Sequence, residues 1–166
     1  MKHGHDLKRA ALRLVAATTG LWLALPAFAH HSAAGYDLDT IEVLTGVVER
    51  IYPGASHLEI FFIPLTAERS DFVRDADGEP VVWSVEMEGA SAAAREGVSR
   101  NTFPRNTIFS IALHPKRDGQ PVGLKVRRTA VVRCPGETLP APGQHCDAVE
   151  GHVAAGAGAL PTGVER

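Results

Sequence analysis

The sequence predicts a mostly β fold, a small barrel of five strands with one short helix set between the third strand and the fourth. Three observations predict it. Five stretches alternate apolar and polar residues at a period of two; one stretch carries helix formers between a cap and a stop; the segments between them are rich in Gly, Pro and Asp. A β-sandwich needs more strands than the chain offers.

The first strand runs over Ile41–Ile51, where Ile41, Val43, Val47 and Ile51 recur at spacings of two and four. Gly46 interrupts that run and predicts a bulge or bend. Tyr52 to Ser56 is a turn by composition, and His57–Ile63 is the second strand, with Leu58, Ile60 and Phe62 on one face and His57, Glu59 and Phe61 on the other. The polar connection that follows contains Asp75, Asp77 and Gly78, the opening of a calcium-loop pattern without its closing Glu, and so reads as a hairpin turn. The third strand, Val81–Met87, puts Val81, Trp83, Val85 and Met87 on a shared face. Ser91 as cap, three alanines and Gly97 as stop predict the helix over Ser91–Glu96. Thr107–His114 is the fourth strand, and Val122–Arg128, continuing to Val132, the fifth. Three strands, a helix and two strands, with the first strand bent at a glycine, is the order of an OB-like five-stranded barrel.

The organisation expected around this barrel has four parts. Residues 1–29 read as a cleaved export signal: Lys2, Lys8, Arg9 and Arg13 precede the apolar run Leu14–Leu25, and Ala27-Phe28-Ala29 is the small-x-small pattern of a cleavage site. The apolar run is too short to span a bilayer comfortably, so no stable membrane insertion is expected after cleavage. Residues 30–133 hold the barrel, 134–150 a loop closed by a disulfide between Cys134 and Cys146, and 151–166 a Gly/Ala-rich tail expected to lack fixed structure. Cleavage removes four basic residues and one acidic one, taking the formal charge from −2 to −5. Nucleic acid is therefore not an expected partner, because phosphate contacts need a concentrated basic face and Arg127, Arg128 and Arg133 make only a local patch.

Several segments together resemble a family of small exported bacterial proteins of uncharacterised function. These are Ala29-His30-His31-Ser32, Leu44-Thr45-Gly46-Val47-Val48, His57, Trp83-Ser84-Val85-Glu86-Met87 and His114-Pro115-Lys116-Arg117-Asp118-Gly119. The resemblance covers Ala29 to Arg128, and implies a periplasmic location and a compatible fold but no activity. The chain departs from the family pattern at Ala55-Ser56 and at Pro104-Arg105-Asn106-Thr107, and it adds the cysteine loop.

Candidate chemistry comes from individual residues. A chain starting at His30 offers an α-amine beside an imidazole, and His31, His57 or His114 could complete a copper site. Met87 adds a thioether suited to Cu(I), and Trp83 shares its strand face. That set is similar to the periplasmic copper metallochaperones of the Cus efflux system, although Met87 is the only methionine left after cleavage. Each residue also has a plainer reading: a solvated terminus for His30 and His31, core packing for Trp83 and Met87, a solvated strand face for His57, a strand end for His114. The alternative function is a metal-free OB-type module that binds a small ligand, a saccharide or a periplasmic partner protein, with Phe61 and Trp83 as its stacking face. No Ser elbow, zinc-binding helix, phosphate loop or catalytic cysteine is present, so no enzyme activity is expected.

Overall fold

The computed structural model describes residues 33–161. The expected export signal, His30, His31 and the last five residues lie outside the described residues. The chain forms β1 (Glu42–Pro53), β2 (His57–Pro64), β3 (Trp83–Glu88), α1 (Ala90–Arg95), β4 (Ile108–Pro115), β5 (Val122–Lys125), β6 (Val131–Arg133) and β7 (Val153–Ala155). Antiparallel ladders join β1 to β2, β2 to β3, β4 to β5 and β1 to β4, and β3 pairs parallel with β5. The circuit β1-β2-β3-β5-β4-β1 closes the five-stranded OB-like barrel.

Closure depends on the long β1, whose residues 42–47 pair with β4 and 46–53 with β2. Gly46 lies in both ladders. A Cβ there would come within 2.6 Å of the Ile63 carbonyl oxygen and 2.7 Å of the Phe62 ring, so only hydrogen lets β2 close against the bend. The bulge expected at Gly46 falls instead between Val48 and Arg50, where Glu49 is the extra residue. It resets the alternation, so that Val48 and Ile51 both face inward.

The interior is filled by inward residues of every strand but β5, among them Ile60, Phe62, Val85, Met87, Phe109, Ile111 and Leu113. Phe109 stands edge-on to Phe62 at 5.2 Å and to Phe103 at 6.2 Å between ring centroids. Full burial of such side chains stabilises by about 1.5–3 kcal/mol each. The helix starts at Ala90, one residue before its predicted cap, with Gly89 in the cap position and no side-chain capping bond. A Cβ on Gly89 would collide with the Ala55 carbonyl oxygen, so the β1–β2 turn packs directly on the start of α1. Gly97 ends the helix at φ +91°, with Val98 N–H donating to Ala93 and Gly97 N–H to Ala94, a Schellman stop. Asp75 to Gly78 is the expected turn, its Asp75 carboxylate accepting from the N–H groups of Asp77 and Glu79.

Two expectations need correction. The fifth strand does not run on to Val132. It leaves the sheet after Lys125, turns through Arg128 at φ +61°, and returns as β6 on the N-terminal half of the same β4 edge. The tail has fixed structure within the described residues: Val153–Ala155 is β7, paired antiparallel with β6, and Ala155 and Leu160 are buried. Alanine and glycine carry no alternation to reveal a strand whose partner is supplied by a non-local hairpin. Cys134 and Cys146 form the expected disulfide.

Candidate functional site

Strand pairing decides which predicted residues share a surface. Trp83 pairs with Phe62 and Met87 with Leu58, so both point into the barrel; Met87 is 2% exposed and Trp83 packs against the interior cluster. His57 pairs with Glu88 and Phe61 with Ser84 on the outside. Met87 and Trp83 are therefore on the opposite face from His57 and Phe61, and the structure does not bring them into one metal or stacking site. His114 faces outward on β4, where its Nδ1 lies 2.8 Å from the Thr40 carbonyl oxygen. Among the described residues, no group of three or more His, Cys, Asp or Glu side chains is placed to hold a metal ion.

What the register does assemble is a polar and aromatic surface across the outside of the barrel. One row runs Tyr52, Glu59, Glu86, Leu124, His114 across β1, β2, β3, β5 and β4. The next holds Arg50, Phe61, Ser84 and Val122. The Arg50 guanidinium sits 4.1 Å above the Phe61 ring, and Tyr52 is 61% exposed. Glu59 and Glu86 are direct cross-strand neighbours, an arrangement of like charges that costs stability in the absence of a partner.

Part of that partner comes from the N-terminal arm. Ala33–Gly35 is a single 3-10 turn, and Tyr36 then bridges to Lys116 and lays its ring over the sheet, 4% exposed. Its phenol hydrogen-bonds Glu86, and burial first, then the Glu86 and Glu59 charges, raise its pKa well above the usual tyrosine value. The arm is held by Asp37, whose N–H donates to the Pro115 carbonyl and whose carboxylate accepts from Thr40 Oγ1 at 2.8 Å. That hydroxyl bond is the first cause of its lowered pKa.

A second ionic contact joins the end of β5 to the end of the helix. Lys125, buried, lies 3.9 Å from Glu96, whose carboxyl pKa is raised by burial and by the adjoining Glu88.

Alternation in the sequence already placed Glu59 and Phe61 on one face. Tyr36 gave no such signal, because it lies in a short arm without periodicity and gains its role only from the strands it crosses.

A model for a family of unknown function, DUF6152, matches residues 20–126. The match reaches the residue after β5, so β6, the disulfide and β7 lie beyond it. No curated protein and no solved structure matches the chain.

Proposed function

The chain belongs to DUF6152, a family without an assigned function, and we propose that it works after export as an OB-type binding protein, not an enzyme, using the outer face of β1, β2 and β3. The observation that carries this reading is the facing pair Glu59 and Glu86 beside Phe61 and the exposed Tyr52. Carboxylates accept hydrogen bonds and the rings offer apolar stacking, a combination that fits a ligand rich in hydroxyl donors, such as a saccharide. The disulfide is compatible with export to an oxidising compartment.

The test is a titration of the mature chain with a panel of neutral oligosaccharides. A retained sugar whose affinity falls about tenfold in Phe61→Ala and in Glu59→Gln, with the melting temperature unchanged, supports the reading. Absence of any saturable sugar binding overturns the hydroxyl-ligand assignment.

A second reading is copper held by the α-amine and imidazole of His30 with His31. It is favoured by the Ala-Phe-Ala cleavage pattern that directly precedes these residues. Mature protein starting at His30 is then expected to bind Cu(II), and one extra residue before His30 to weaken that binding markedly; unchanged affinity rejects it.

A further inference from the structure

A cleft of about 370 Å³ opens where the loop before β4 meets the β6–β7 hairpin, lined by Arg105, Asn106 and Thr107 on one side and Arg133, Cys134 to Gly136, Gly151 and Val153 on the other. Its size is that of a small-molecule site. The lining carries two arginines and no carboxylate, in a chain whose formal charge is negative. Both guanidiniums keep donors in reserve. Arg133 donates through Nη1 to the Thr102 carbonyl at 3.1 Å, and Arg105 donates through Nη2 to Glu49 at 2.6 Å in a solvent-exposed ion pair of little energetic weight.

The loop that presents Arg105 is held in an unusual conformation. Asn106 has φ +69°, a left-handed backbone uncommon outside glycine, fixed by its N–H donating to Val48 and by Thr107 N–H donating to Pro104. The side chains of Asn106 and Thr107 make no hydrogen bond among the described residues, so the loop turns a free amide and hydroxyl beside the arginines.

From these features we propose that this cleft is a binding site for a small anion carrying carboxylate or phosphate oxygens, gripped between Arg105 and Arg133. Guanidinium forks match two oxygens of either group, and Asn106 and Thr107 supply the neutral donors around them. The cleft exists because the disulfide and the β6–β7 hairpin stand opposite the loop before β4.

The test titrates the oxidised mature protein, in low-salt buffer, with inorganic phosphate and separately with succinate, read by calorimetry. One-site binding of at least one anion is expected, and the tighter of the two identifies the oxygen chemistry. Arg133→Gln should weaken it at least tenfold. Asn106→Gly, which keeps the backbone conformation and removes only the amide, should weaken it severalfold. Arg105→Gln, at an exposed position, serves as the variant whose folding is not at risk, and should also weaken it. Failure of both anions to saturate overturns the proposal, as does an affinity unchanged in Arg105→Gln and Asn106→Gly.

Discussion

The barrel has two outer flanks that the chain treats in opposite ways. Outside β1, β4 and β6, the C-terminal segment forms a roof, burying Val43, Ile108, Ala112, Val132, Cys134, Cys146 and Leu160 in a second cluster. Outside β2 and β3, the strands carry His57, Glu59, Phe61 and Glu86 on the face left clear of that roof, and among the described residues the Tyr36 arm reaches across to Glu86 there. The strand sequences record the difference. In β2, burial alternates residue by residue, whereas Ile108 to Leu113 of β4 are all buried. A strand covered on both faces reads as an almost unbroken apolar run, so β4 requires a cover that β2 does not. The one polar side chain in that run, Ser110, is satisfied under the roof: its hydroxyl lies 2.7 Å from Thr45 Oγ1 and accepts from Cys146 N–H, and Thr45 continues to His145 Nδ1 at 2.8 Å.

Removing the disulfide should separate the two flanks most clearly. Replacing both Cys134 and Cys146 by Ala frees the loop they close and should cost about 3 kcal/mol, seen as a fall of roughly 10 °C or more in Tm. Sugar binding on the open flank should persist in this double variant below its Tm. A melting temperature unchanged by the double substitution would show that apolar packing alone holds the roof. Thr45→Val tests the polar chain beneath it. The isosteric methyl removes a hydroxyl shared by Ser110 and His145, and should destabilise by about 1–3 kcal/mol in chemical denaturation, with Thr45→Ser restoring most of the loss. Equal stability of the valine and serine variants would mean that the chain of hydroxyls contributes only volume.

The sequence made the barrel legible because its information is local. Alternation in His57–Ile63 and Val81–Met87 fixed which side chains share a face, and the order of strands and helix pointed to the closed topology. What escaped was whatever depends on a distant partner. Phe62 and Ile63 decide the role of Gly46, so the glycine signalled a bend while the bulge lay at Glu49. Strand β7 has only β6 to define it, and Val153-Ala154-Ala155 has no pattern of its own. His57 and Met87 looked combinable because sequence does not supply register, and register sends one outward and the other into the core. Tyr36 was hidden for the same reason, since Glu59 and Glu86 meet it only after β2 and β3 pair.

Tyr36 is also the place where the open flank is partly covered, and titration can reveal how much that cover matters. The folded phenol has its pKa raised above the usual tyrosine value by burial and the adjacent carboxylates. A raised value means that its contribution to stability is fully present below pH 10 and is lost as pH climbs above it, because the unfolded chain releases the proton first. Wild-type protein should therefore lose stability above pH 10 more steeply than Tyr36→Phe, in which no phenol titrates at this position. At neutral pH the substitution should cost only about 1 kcal/mol, since it removes one hydrogen bond to Glu86 and keeps the ring. Parallel alkaline unfolding curves for the two proteins would show that Tyr36 is hydrated in solution and that the N-terminal arm lifts from the sheet, leaving the flank as open as the rest of the β2–β3 surface.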